Sequence, residues 1–423
     1  MTKRIANVRA TEILDSRGNP TLRVTVTLGD GSHASSSVPS GASIGTHEAV
    51  ELRDGDERRY WGRGVLKAVG HVNEVLGPAL VDIGITQQAD IDALMVELDA
   101  TPNRSRLGAN AILGVSQACV CAAAQASSLP LYAYLGGNEA LRIPMPMVNI
   151  INGGKHADSS LDIQEFMVVP IGADNFADAL RWAAETFHAL QIILHSRGYT
   201  VAVGDEGGFA PLLPSNEEAC ELILEAIVMA GYRPGRDIAL ALDVAANSFF
   251  EGGRYRISRT GYRPDRSSLE MTALYQQWVR KYPIISIEDG LSETDWDGFE
   301  RLTAVLGGEV RIVGDDLLVT HTRFIAEAIE RKACNAALIK LNQIGTVTEA
   351  IAAVKMCRDA GWRYIVSHRS GETEDCFMAD FAVAMGGGWI KAGSICRGER
   401  VAKYNRLLEI ERELGERARF DRP

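Results

Sequence analysis

The chain of 423 residues lacks most features that would set it outside the ordinary globular class. It has no excess of positive charge. Lys and Arg number 44 against 55 Asp and Glu, a net charge of −11. A sequence-independent grip on nucleic acid or on an anionic membrane needs clustered cations, so neither is an expected partner. No uninterrupted apolar run reaches the ~20 residues of a membrane span. The greasiest stretch, 109–135, is broken by Asn110, Gln117 and Gln125 and reads as a small-residue buried helix. The opening MTKRIANVRATEILDSRGNP has no apolar core of about 7–15 residues, so it does not read as a secretory signal, and a cytoplasmic protein is expected. Cysteine is sparse: seven residues, an odd number, with no C-x-x-C pair. That argues against a disulfide framework or a zinc site, and for reduced thiols. There is no Walker-type phosphate loop, no GxGxxG fingerprint and no low-complexity segment.

What remains is 46% hydrophobic and 23% charged, the usual mix of a soluble protein. A chain this long buries about three quarters of its unfolded surface, so it needs no staple to fold. The first 40 residues read as β: IANVRATEIL, a dense turn signal at Asp15–Pro20, then TLRVTVTL returning as SHASSSV. Helical patterns follow at about 64–75, 88–98 and 109–125. Strands first and helices afterwards predict an α+β unit over residues 1–136, with a boundary at Gly136-Gly137. From 137 to 423 short apolar runs alternate with amphipathic stretches: EFMVV, TVAVG, IALALD, IISIE, VRIVGD, AALIK, YIVS and WIK. About eight strand–helix units fit a closed, parallel β/α barrel. An open doubly wound sheet is the alternative, weakened by the missing nucleotide fingerprints.

Each of six consecutive runs ends in an ionisable residue: Asp243, Glu288, Asp315, Lys340, His368 and Lys391. Their successive separations are 45, 27, 25, 28 and 23 residues, and all but the first are about one βα unit. Six in register with the repeat place these groups at one end of the sheet, where barrels build active sites. The first three are carboxylates on adjacent strands. Converging carboxylates need a cation, and an all-oxygen set suits Mg²⁺ or Mn²⁺. Asp289 and Asp316, each one residue further on, are expected to turn away and serve structure. Lys340, His368-Arg369-Ser370 and Lys391 form a cationic arc across from the acids. Acids with a metal on one side and cations on the other describe a pocket for a small, multiply anionic substrate. A neighbouring cation lowers the pKa of a lysine, which makes Lys340 or Lys391 a candidate base. Upstream, VGDEGGFAP puts Asp205 and Glu206 at a further strand end, and INGGKHADSSLDIQEF carries His156 and Glu165 in a polar loop.

At these residues the chain resembles the enolases, over nearly its whole length. The matching stretches include EILDSRGNPT, VPSGAS, LGANAILGVS, NIINGG, DIQEFM, GDEGGFAP, SIEDGL, IKLNQIGT and SHRSGETED. The resemblance implies an N-terminal α+β cap on a modified β/α (TIM-like) barrel, in a homodimer or larger homo-oligomer. It implies reversible dehydration of 2-phosphoglycerate to phosphoenolpyruvate with two Mg²⁺ per site. Asp243, Glu288 and Asp315 would hold the first ion, and Ser43 the second once substrate is bound. Lys340 would be the base, and Glu206 the acid with Glu165 beside it. Lys391 would hold the substrate carboxylate, Arg369 and Ser370 the phosphate, and His156 and His368 would close on the substrate.

Some positions depart from the family pattern. The mobile loop usually reads SGASTG and here has Ile44; Lys155, Trp389, Ala392 and Gly398 also stand where other residues are usual. Enolase relatives that act on phosphonate analogues, such as carboxyphosphonoenolpyruvate synthase and phosphonopyruvate hydratase, keep the same metal and catalytic residues. Such a substrate is therefore the alternative expectation, and a binding protein without catalysis is a more distant one.

Overall fold

The computed structural model describes residues 3–41, 45–257 and 265–422. Three antiparallel strands open the chain: β1 (Ile5–Leu14), β2 (Pro20–Leu28) and β3 (His33–Ser37). Their inward residues, Val24 and Val26 among them, are fully buried against the helix Ala109–Ala126. That helix is long and apolar enough to cross a membrane, yet 83% of it is buried inside the protein. Its small residues explain this, because Gly114 lets Val24 and Leu22 approach where a Cβ would sit 2.7–2.8 Å from them. All seven cysteines are free.

Eight strands then close a barrel: β4 (Met145–Asn152), β5 (Glu165–Val169), β6 (Ala239–Asp243), β7 (Ile284–Glu288), β8 (Arg311–Gly314), β9 (Ala336–Ile339), β10 (Arg363–Ser367) and β11 (Trp389–Lys391). The order around the barrel is β7-β8-β9-β10-β11-β4-β5-β6. The expected purely parallel sheet is corrected at one strand. β5 runs antiparallel to both β4 and β6. Residues 153–164 join β4 to β5 without a helix, whereas parallel neighbours are usually joined through one.

The TVAVG run is also not a barrel strand. Val203 makes only an isolated bridge to Phe209, and residues 202 and 203 are exposed. It lies in the turn between the helices Phe176–Ser196 and Asn216–Met229. The strand that fills its place in the barrel is β4, MPMVNIIN, buried along its whole length.

Period two along the strands sets the interior. Two residues before Asp243, Asp315, Lys340 and Lys391 come Ala241, Val313, Leu338 and Trp389. On the reversed strand β5, Met167 follows Glu165 by the same step. These five belong to one buried apolar cluster inside the barrel. The same alternation therefore builds a greasy plug and, one layer above it, a ring of charge.

Candidate active site

One cavity at the C-terminal mouth of the barrel is lined by His156, Glu165, Glu206, Asp243, Lys340, His368, Arg369, Ser370 and Lys391. The free space among them is about 20 Å³, room for one water.

Three strand ends meet on one cation. Lys391 Nζ donates to Asp243 Oδ2 at 2.8 Å and to Glu288 at 2.9 and 3.0 Å, and lies 3.2 Å from Glu165 Oε1. Burial pushes the Glu288 carboxyl well up, and the Asp243 charge adds to it. Burial raises Asp243 too. For Lys391 burial works against the ammonium, but Asp243, Glu165 and Glu288 outweigh it and its pKa rises. Glu165 Oε2 and Gln164 Oε1 are buried with no hydrogen-bond partner. This is an all-oxygen nest with more negative charge than one lysine offsets, and its donor set fits a hard divalent cation.

Asp315 completes the acid set from β8 but faces elsewhere. It accepts from Lys340 Nζ through Oδ2 and from Gln343 Nε2 at 2.8 Å through Oδ1. Lys340 corrects an expectation. Burial and the cations Arg369 and Lys391 lower its pKa, but the Asp315 charge prevails and the value is raised. In this geometry Lys340 is held as an ammonium. Asp289, expected to turn away, accepts from the backbone N–H groups of Asp315 and Asp316, both at 2.9 Å, and its carboxylate clusters with those of Asp315 and Asp316 in a buried group that could hold a cation. Asp316, the other expected structural acid, accepts from Asn247 at 2.9 Å, and burial together with Asp315 pushes it up to about 7.

The opposite wall carries Glu206, in a turn built by two glycines. Gly207 has φ +87°, and a Cβ there would lie 2.5 Å from the Cys396 carbonyl oxygen. A Cβ at Gly208 would lie 2.8 Å from Asn152 Oδ1. His156 Nδ1 lies 3.3 Å from Glu206 Oε2 and 3.5 Å from Glu165 Oε1. Burial opposes charging this imidazole, but Glu206 and Glu165 push its pKa up to about 10. Glu206 moves the other way: burial is outweighed by His156, and the carboxyl is held low. The ion pair thus favours a charged imidazole beside a charged carboxylate. His368 is the opposite case. Burial and the Arg400 charge keep it neutral. Arg400 donates to its Nδ1 at 2.6 Å, so Nε2 carries the hydrogen, 3.5 Å from Glu206 Oε1.

Arg369 reaches the cap. Its guanidinium bonds Glu48 at 2.9 and 3.3 Å, and Arg17 donates to Ser370 Oγ at 3.3 Å. Sequence reasoning missed Glu48 and Arg17 as members of the site, and also Asn149, which donates to Glu206 at 3.2 Å, and Arg400. Arg17 sits in a turn signal and Arg400 in a helical pattern, so neither carried a catalytic mark. Ser43 and Ile44 lie outside the described residues.

Residues 5–135 match the family model described as the enolase N-terminal domain, and residues 140–422 match the enolase C-terminal TIM barrel domain. The chain belongs to the enolase family. It is 64% identical over 422 residues to Enolase 1 of Methylococcus capsulatus strain Bath, covering 100% of both chains. It is 60% identical over 422 residues to the enolase of Desulfotalea psychrophila, covering 99% of this chain and 100% of that one. Within this enolase fold, none of the described departures lines the cavity. Lys155 is exposed, Trp389 is packed in the barrel plug, Ala392 is buried, and Gly398 has open space around it.

Proposed function

We propose that the chain is a hydro-lyase that reversibly dehydrates 2-phosphoglycerate to phosphoenolpyruvate with Mg²⁺. The observation that carries this reading is the placement of Lys340 and Glu206 on facing walls of one cavity. Lys340 ends β9. Glu206 is hydrogen-bonded to Asn149 of β4, three strands further round an eight-stranded barrel. Acid and base thus approach a small substrate from opposite sides, as an elimination across one C–C bond requires.

Asp243, Glu288 and Asp315 would hold one Mg²⁺, and Ser43 would help hold a second once substrate is bound. The metal supplies positive charge beside the substrate carboxylate. Loss of the proton from C2 puts a second negative charge on that carboxylate, and Lys391 lies where it can bind the same group. Pairing a Lys or His base with Mg²⁺ is the general pattern of the enolase superfamily. Lys340 must be neutral to accept the C2 proton. Its ammonium is stabilised by Asp315, and a cation that engages Asp315 weakens that hold. The C2 electron pair forms the C2=C3 double bond, the C3 hydroxyl leaves, and a proton delivered through Glu206 and its neighbour His156 completes a water molecule. Glu165 holds His156 in place. Arg369 and Ser370 take the phosphate, and His368 donates through Nε2 at the same wall. Burial of the whole set excludes bulk water, which strengthens each of these contacts.

In the same reading residues 1–136 are a capping unit and 137–423 the catalytic barrel, the enzyme is cytoplasmic, and copies pair as a homodimer or larger. An assay that follows phosphoenolpyruvate absorbance with Mg²⁺ tests the substrate. Turnover of 2-phosphoglycerate, lost on chelation and regained with Mg²⁺, is expected; a background rate with Mg²⁺ present overturns it.

A further inference from the structure

The opposite end of the barrel holds a second cavity, of about 770 Å³. That is within the usual range for a small-molecule site, about 300–1,000 Å³. Five arginines line it, Arg142, Arg311, Arg358, Arg363 and Arg419, against a single acid, Asp421. Asp421 is already engaged. It accepts from the Gly388 N–H at 2.7 Å and from Arg363 at 3.3 Å.

Arg311 and Arg363 are the first residues of β8 and β10, which flank β9. Counting by two from Val313 and Ile365 of the interior plug puts both on the inward face, one layer below it. The two guanidiniums are therefore neighbours. Arg311 is half-buried, and among the described residues no hydrogen bond or ion pair reaches its guanidinium. Burial lowers its pKa, and the charge of Arg363 lowers it further. Arg311 faces the cavity with no partner of its own, so an anion there would meet both charges.

We propose that this lower mouth of the barrel binds a compact polyanion carrying two or more phosphate groups, with Arg311 and Arg363 at its floor and Arg142 and Arg419 at its rim. Guanidinium groups match phosphate oxygens in a two-pronged fork, and several phosphates satisfy several forks. The cations sit in a recess within a protein of net charge −11. A long polyanion would meet that acidic surface, whereas a small one reaches Arg311. Trp362 is half-buried on the wall, where stacking would hold a base attached to the phosphates.

The test is calorimetric titration of the full-length, Mg²⁺-loaded protein with inorganic triphosphate and with ATP, both as magnesium complexes. Binding that survives saturation with 2-phosphoglycerate, and that weakens about tenfold in Arg311→Gln and measurably in the exposed Arg419→Gln, supports the site. Tighter binding of ATP than of triphosphate assigns a role to the base; equal binding assigns recognition to the phosphates alone. Affinity unchanged in both variants, or binding abolished by 2-phosphoglycerate, overturns the proposal. So does a change of oligomeric state in these variants without loss of anion affinity, which would show that a second copy of the chain occupies the cavity.

Discussion

At the scale of single residues the site is a set of buried charges whose partners decide their state. Asp315 accepts from Lys340 and from Gln343, beside the acid nest rather than in it. Asp315→Asn removes one of the proposed metal ligands and the charge that favours the Lys340 ammonium, so Mg²⁺ affinity is expected to fall at least tenfold, a loss of about 1.4 kcal/mol or more. Calorimetry checks this, and an unchanged affinity would remove Asp315 from the ligand set. The histidines give a pH signature. His368 is held neutral, its pKa well below 6.5, by burial and then by Arg400. Above the unfolded value neither state carries its proton. As pH falls below 6.5 the unfolded chain takes up a proton that the folded chain refuses, so folded stability drops by up to about 1.4 kcal/mol per pH unit. His156 has the reverse sign. Its raised value adds stability that is complete below 6.5 and is lost as pH rises through about 10. Denaturant midpoints between pH 8 and 5 should therefore decline less steeply in His368→Gln than in the parent chain. Parallel slopes would contradict a neutral His368.

At the scale of elements, strand ends and one tight turn place the chemistry. Gly207→Ala forces a Cβ toward the Cys396 carbonyl and puts alanine at φ +87°. The backbone conformation alone costs roughly 1–2 kcal/mol, and the clash displaces Glu206 as well. Gly198 has φ +75° with open space around it. Gly198→Ala should then lose stability only, whereas Gly207→Ala should also lose most of kcat; equal activity in the two would deny the turn its role. Much of this scale was legible in sequence. The six ionisable strand ends follow from period two within strands and the βα repeat between them, both of which are local. TVAVG misled because a short apolar run looks the same whether it pairs along a ladder or by one bridge. MPMVNIIN is hard to read as a strand because Pro146, Asn149 and Asn152 interrupt its apolar pattern, although all three are buried. The reversed β5 was hidden too, since direction is set by the connection and not by the strand.

At the scale of the whole molecule, the site joins parts that sequence distance keeps apart. Glu48 and Arg369 are separated by 321 positions, and Arg17 and Ser370 by 353. No local pattern announces such pairs, and so the contact of Glu48 and Arg17 with Arg369 and Ser370 is not visible in the motifs. The barrel's closure does the equivalent for the proposed acid and base, bringing Lys340, just past β9, and the Glu206 turn beside β4 to facing walls of one cavity. On the proposed function, those two walls divide the proton chemistry between them. That division is tested most directly by nuclear magnetic resonance of 2-phosphoglycerate in deuterated water, which reads exchange of the C2 proton separately from loss of the C3 hydroxyl. Lys340→Ala should slow exchange by a factor of about 10²–10⁴ while its circular dichroism matches the parent's. Glu206→Gln should retain exchange and lose dehydration. Exchange that persists in Lys340→Ala, or exchange and dehydration falling together in Glu206→Gln, would contradict the account.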